Sequence, residues 1–224
     1  MKRYVVIVAG GSGTRMGTAT PKQFLLLNGR PLLMHTIESF DKAGCSGNII
    51  VVLPQKETGQ WQQLTETYNF NTKHTVIAGG MTRSESVRNG LSHVPAESIV
   101  AIHDGVRPLA SLELINRCFE SAIETGNAIP AIPVVDSLRK IAGDKNTVAD
   151  REVFRIIQTP QCFRSHELKK AYSQAGSHSF SDDATVFEKD GHAINLVEGE
   201  RTNIKVTVMH DLMIASSILN AREH

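Results

Sequence analysis

Apolar residues fall along this chain in two alternating rhythms. Runs rich in Val and Ile at 4–9, 48–53, 74–77, 98–103 and 128–135 read as buried strands. Between them, residues 31–43, 56–69, 82–93 and 111–125 carry apolar positions at helical spacing, and Thr82-Arg83-Ser84-Glu85 has the form of a capping box. Strand and helix taking turns predict an α/β fold: a single Rossmann-like domain whose mostly parallel sheet has helices on both faces, joined by right-handed crossovers. The 224 residues suffice for one such domain spanning 1–224, and no composition shift marks a second.

The rhythm breaks over residues 136–163. There, 137–141 and 152–157 read as strands around the turn-forming Gly143-Asp144-Lys145-Asn146, which predicts a protruding β-hairpin arm. Two strands of roughly nine residues at ~3.3 Å each would reach about 30 Å, farther than a loop needs to return to its own sheet. The natural use of such an arm is dimerisation, so a homodimer is expected. Beyond it, helices are predicted at 165–176 and 182–190, short strands at 193–197 and 203–207, and a final helix.

Charge narrows the partners. Lys plus Arg is 24 and Asp plus Glu is 23, so a net +1 gives no global field for nucleic acid or an anionic membrane, and any anion site must be local. Cys45, Cys118 and Cys162 lack both disulfide parity and zinc-ligand spacing, which suits a reducing cytoplasm. The first apolar run, about six residues, is too short for a signal h-region or a membrane span. The nine histidines show no HExxH, and no GxSxG nucleophile elbow is present. Trp61, Met209 and Met213, at helical positions, are expected in the core.

The first strand runs into Ala9-Gly10-Gly11-Ser12-Gly13-Thr14-Arg15-Met16-Gly17, with Pro21-Lys22-Gln23 close behind. Ala9, Gly10, Gly11 and Gly13 can present backbone N–H groups to a phosphate, and Arg15 and Lys22 add charged donors. The loop fits neither the dinucleotide fingerprint, whose third glycine would fall at Met16, nor the P-loop. On these residues alone, a tight strand-to-helix turn is an equally good account. Asp104 closes the fourth strand, where open α/β sheets place ligand groups, and could hold Mg²⁺ or simply cap the next turn. Gly79, Gly80 and Ser86 lie between the third strand and the helix starting near Thr82. Arg151 and Ser137 belong to the arm, Thr159 follows it, and Lys205 alternates with Ile204 and Val206 so that it points away from them.

The glycine-rich stretch with Pro21-Lys22-Gln23 resembles the signature of sugar-phosphate nucleotidyltransferases. Gly79-Gly80 with Arg83, Ser86 and Val87, then His103-Asp104-Gly105-Val106-Arg107-Pro108, Thr159-Pro160-Gln161 and Asn203-Ile204-Lys205-Val206-Thr207 make the chain similar to the 2-C-methyl-D-erythritol 4-phosphate cytidylyltransferase family along nearly its whole length. The resemblance implies transfer of CMP from CTP to a sugar-alcohol phosphate in non-mevalonate isoprenoid synthesis, with Mg²⁺ as cofactor. It implies Arg15, Lys22, Arg151 and Lys205 as catalytic residues. Gly79, Gly80 and Ser86 would read cytosine, and Asp104 would bind the metal and, with Arg107, place the acceptor. Arg151 would reach across the dimer to the acceptor phosphate, with Ser137, where threonine is common in the family, and Thr159 facing the same pocket. Two departures stand out: Val8-Ala9-Gly10-Gly11 for the more usual Pro-Ala-Ala-Gly, and Val208-Met209-His210-Asp211 for Thr-Pro-Glu-Asp. The first also suits cytidylyltransferases that accept ribitol 5-phosphate, which stays open as an alternative acceptor. A nucleotide sensor without chemistry is a more distant alternative. A nicotinamide-dependent oxidoreductase is disfavoured, because Leu53-Pro54-Gln55 stands where an acidic residue is required.

Overall fold

The computed structural model describes residues 1–10, 20–176 and 180–222. Along the chain, β1 (Lys2–Val8) is followed by the two-residue strands β2 (Leu26–Leu27) and β3 (Arg30–Pro31), then α1 (Leu32–Phe40), β4 (Ile49–Leu53), α2 (Thr58–Thr67) and β5 (Thr75–Ala78). Next come α3 (Arg83–Ser92), β6 (Ser98–Asp104), α4 (Leu112–Thr125) and β7 (Asn127–Pro133). A hairpin of β8 (Leu138–Ala142) and β9 (Lys145–Ala149) precedes β10 (Arg155–Ile157) and β11 (Gln161–Arg164). The chain ends through α5 (Ser165–Gln174), α6 (Asp183–Lys189), β12 (Leu196–Glu198) and α7 (Met209–Arg222).

The main sheet has the order β10-β7-β11-β6-β1-β4-β5, with β12 beside β7. β1 lies between β6 and β4, parallel to both, and β5 continues in the same sense. β11 runs antiparallel between β6 and β7, so β7 points with β6, and β12 pairs parallel to β7. The mostly parallel α/β architecture expected from the alternating pattern is therefore present.

β1 shows how the sequence builds two cores. Val5 and Ile7 face one side and pack with Ile37 and Phe40 of α1, Trp61 of α2, and Leu114 and Phe119 of α4. Val6 faces the other side, against Val87 and Leu91 of α3, Leu168 and Tyr172 of α5, and Phe187 of α6. Period-two alternation thus splits three consecutive apolar residues between two helical layers, and each fully buried side chain contributes about 1.5–3 kcal/mol. All three cysteines are free and buried in these layers. A smaller cluster of Leu27, Leu32, Leu109, Val206 and Ala215 seats α7.

Three expectations need correction. The arm is shorter than residues 136–163. Gly143 takes φ 58° in a two-residue turn that pairs Ala142 with Lys145, so Lys145 and Asn146 are strand rather than turn. Residues 155–157 pair with β7 and 161–164 enter the sheet between β6 and β7, so the return of the arm is main-sheet structure. Residues 203–207 form no strand, because their backbone makes isolated bonds such as Val206 N–H to the Val106 carbonyl (2.9 Å) instead of a ladder. Met209 and Met213 lie on the outer side of α7, 48% and 68% exposed, whereas Trp61 is buried as expected.

Candidate active site

The sheet order places β4 and β5 on one side of β1 and β6 on the other, so the crossovers part at the carboxyl ends of β1 and β6. Open α/β sheets take ligands at such a point. A cavity of about 290 Å³ lies there, lined by Ala9 and Gly10 after β1, Pro54 after β4, Gly79 to Thr82 after β5, Asp104 at the end of β6, and Lys22, Arg83, Ser86 and Lys205. Among the described residues its lining carries three cationic side chains, Lys22, Arg83 and Lys205, against the single acid Asp104.

Asp104 is buried (8% exposed), and its Oδ2 accepts from Lys205 Nζ at 3.0 Å and Arg107 Nε at 3.2 Å. Burial alone would raise its pKa; Lys205, Arg107 and Arg83 together outweigh that and hold it down at about 2. The carboxylate is therefore ionised at any working pH. Arg107 also donates to the Asn203 carbonyl (2.8 Å), and Asn203 Nδ2 donates to the Thr159 carbonyl (2.8 Å), so the segment bearing Lys205 is tied to the end of β6.

Behind Asp104 a buried chain of bonds sets a histidine tautomer. His103 Nε2 lies 3.1 Å from the Arg107 carbonyl and must donate to it, which leaves Nδ1 to accept from Thr159 Oγ1 at 3.1 Å. The Thr159 hydroxyl in turn accepts from the Asp104 backbone N–H at 3.1 Å. Burial lowers the His103 pKa to about 4 and keeps the ring neutral, and the ring packs edge-on against Phe40. Thr159 is thus an internal strut with both hydroxyl partners inside its own chain.

Lys22 opens a 3-10 turn, Lys22–Phe24, and is only 8% exposed. Gln23, fully buried, donates through Nε2 to Glu57 Oε2, and Phe24 stacks on Trp61 with centroids 5.9 Å apart. Burial raises the Glu57 carboxyl above its ordinary value, with Gln23 and Lys56 opposing.

The turn after β5 is shaped by close approach. A Cβ on Gly80 would lie 2.3 Å from Glu85 Cβ, so only glycine fits. Ser86 Oγ accepts from Gly80 N–H (3.1 Å) and donates to the Thr82 carbonyl (2.9 Å). The capping box is complete: Thr82 Oγ1 accepts from Glu85 N–H while Glu85 Oε2 accepts from Thr82 N–H. Arg83, next in line, is held by the fully buried Asp183 at 2.6 Å, and Tyr172 donates to the other oxygen of Asp183 at 2.6 Å. Its Nη1 is buried without a hydrogen-bond partner among the described residues.

The structure therefore gathers Ala9, Gly10, Lys22, Gly79, Gly80, Ser86, Asp104 and Lys205 around one cavity, with Arg107 and Thr159 bracing Asp104 from behind. Arg15, Gly11 and Gly13 lie outside the described residues. Ser137 is exposed at the root of the arm, and Arg151, 47% exposed, bonds the Val135 carbonyl and Glu152; neither lines the cavity of its own chain. Two residues gain a role only from the fold: Gln23, which follows Lys22, and Arg83, which stands close after Gly79 and Gly80. Asp183 carried no local signal at all.

Fold and cavity together define an open, doubly wound α/β protein with a cationic, glycine-lined pocket at its carboxyl edge. The family model for 2-C-methyl-D-erythritol 4-phosphate cytidylyltransferase matches residues 4–221. Proteins of that name from Bacteroides thetaiotaomicron and Porphyromonas gingivalis are 46% and 47% identical to it, covering 98% of this chain and 100% and 99% of theirs. The crystal structure of the Thermus thermophilus 2-C-methyl-D-erythritol 4-phosphate cytidylyltransferase superposes with a TM-score of 0.81 at 32% identity, over 98% of this chain and 100% of that one. The chain belongs to the 2-C-methyl-D-erythritol 4-phosphate cytidylyltransferase family.

Proposed function

We propose that this chain transfers CMP from CTP to the phosphate of 2-C-methyl-D-erythritol 4-phosphate, releasing pyrophosphate. The observation that carries this reading is the cavity's charge pattern, three cations around one ionised carboxylate at the sheet's switch point, in a chain matched to the family over residues 4–221.

The chemistry requires no protein nucleophile. A phosphate monoester carries about −1.5 to −2 charge at neutral pH and can itself attack the α-phosphorus of CTP. The protein's work is positioning and charge neutralisation. CTP and acceptor together bring roughly six negative charges, while the whole chain offers +1, so cations must be concentrated locally. In this mechanism Lys22 and Arg15 stabilise charge building on the α-phosphate, and Lys205, steadied by Asp104, holds the acceptor phosphate. Backbone groups of Ala9, Gly10, Gly11 and Gly13 cradle the triphosphate, and Gly79, Gly80 and Ser86 meet the cytosine edge.

The donor set fits Mg²⁺. All hydrogen bonds and ion pairs that the described residues make to the Asp104 carboxylate fall on Oδ2, so Oδ1 would be the atom to hold a hard cation. A cation held there would neutralise charge on the triphosphate. No cluster of three His, Cys, Asp or Glu among the described residues offers an all-protein cage.

Homodimerisation through the arm is supported by apolar side chains displayed around it: Ile141 is 69% exposed, Val148 77% and Val153 74%. Ser137 and Arg151, away from the home cavity, are then placed to serve the partner's acceptor phosphate. A cytoplasmic site of action accords with three free thiols and with the lack, among the described residues, of a helix long and apolar enough to cross a membrane.

The deciding experiment is pyrophosphate release from CTP and Mg²⁺ with 2-C-methyl-D-erythritol 4-phosphate and D-ribitol 5-phosphate in parallel. A clear preference for the first is expected; preference for ribitol phosphate, or silence with both, overturns the acceptor assignment. Lys22→Ala or Arg15→Ala lowers kcat about a hundredfold or more, as loss of a donor aimed at developing charge does. A loss confined to KM rules out that role.

A further inference from the structure

We infer that Glu57 is a positioning residue for Lys22, acting through Gln23 across the base of the cavity. The inference rests on the reading that Lys22 stabilises charge on the transferred phosphate. Three observations converge on it. Lys22 and Gln23 share one 3-10 turn, closed by Phe24 N–H to the Pro21 carbonyl (2.9 Å) and Leu25 N–H to the Lys22 carbonyl (3.2 Å), so the lysine cannot move independently of its neighbour. Gln23 is completely buried, its Nε2 donates to Glu57 Oε2, and its Oε1 is buried with no hydrogen-bond partner among the described residues. The bond to Glu57 is therefore the one side-chain hydrogen bond that Gln23 makes to a described residue, and it fixes which end of the amide faces the α2 side.

Glu57 sits on the turn that follows Pro54, a residue of the cavity wall, and its backbone N–H closes that turn onto the Pro54 carbonyl (2.8 Å). With Phe24 stacked on Trp61 of α2 as well, the Lys22 turn is fastened to one platform at two points. Removing the Glu57 carboxylate leaves both polar ends of a buried amide without partners, a state that buried polar groups leave by moving. The backbone that carries Lys22 moves with it.

The test uses Glu57→Ala, Glu57→Gln and Lys22→Ala in the full-length protein, with kcat and KM for CTP and the emission of Trp61, the chain's single tryptophan. Glu57→Ala is expected to lower kcat tenfold or more, roughly the range set by a misplaced charge-stabilising donor, with KM little changed and Trp61 emission shifted. Glu57→Gln, which keeps an acceptor oxygen, restores most of kcat. In the Lys22→Ala background, Glu57→Ala costs nothing further, because residues acting through one another are non-additive. Full additivity of the two losses, or an unimpaired Glu57→Ala, overturns the positioning role. An unimpaired Lys22→Ala instead overturns the reading of Lys22 itself.

Discussion

Lys205 Nζ stands 3.0 Å from Asp104 Oδ2, joining an irregular segment near the end of the chain to the last residue of β6. Each charge stabilises the other where the cavity needs both. Asp104→Asn is expected to lower kcat about a hundredfold, in line with loss of a preorganised electrostatic group. Lys205→Ala should do the same, and the double variant should fall well short of the product of the two losses. Pyrophosphate release checks all three, with a thermal melt confirming that each variant is folded.

Acid should unfold the protein in two stages. Free His103 takes up a proton below 6.5, whereas the buried ring waits until about 4; in that window the unfolded state binds more protons, so stability falls as pH drops. His35 and His74, also lowered by burial, add to the same slope. Asp104 acts lower down: its folded pKa lies near 2 against an ordinary 3.8, so its stabilisation is complete above 3.8 and is lost as pH falls towards 2. Denaturant midpoints measured from pH 7 to 4 should decline, and His103→Gln should flatten part of that decline.

Asp183 is fully buried and faces Arg83 at 2.6 Å. Arg83→Ala strands that carboxylate and should cost about 3 kcal/mol or more, the penalty for breaking a buried pair from one side. Arg83→Met combined with Asp183→Asn removes both charges and should be clearly more stable than Arg83→Ala alone. Urea unfolding distinguishes the two; equal losses would show that the charge on Asp183 is immaterial.

If Arg151 serves the neighbouring subunit, two dead proteins should revive one another. Lys22→Ala and Arg151→Ala chains, mixed after dissociation, form heterodimers with one intact site of the two. Random pairing in a two-fold assembly then restores roughly a quarter of wild-type activity. No recovery on mixing would place Arg151 at its own chain's site or at none.

The fold was legible because its signals are local. Runs such as Ile49–Leu53 and the Thr82 to Glu85 cap declare strand and helix within a few residues. The same holds for Lys22, Asp104 and Lys205, each of which stands in a short motif beside an element end. What remained hidden depends on distant partners. Arg83 and Asp183 are 100 positions apart, and Gln23 and Glu57 are 34 apart, so no window of sequence contains either pair. β11 escaped for a related reason: a four-residue strand after Pro160 has no periodicity of its own, and only β6 and β7 on either side make it one. Without those neighbours its residues extend the apparent hairpin, which is why the arm expected from sequence is too long.

The hairpin leaves the sheet from β7 and returns through β10 on the far side of β7 before β11 slots in beside β6. Only Gln158, Thr159 and Pro160 separate β10 from β11, and the Thr159 hydroxyl receives the Asp104 N–H. The arm is thus a lever with its fulcrum at the carboxylate end of β6. A displacement of β10 has only those three residues to cross before it meets the backbone of Asp104.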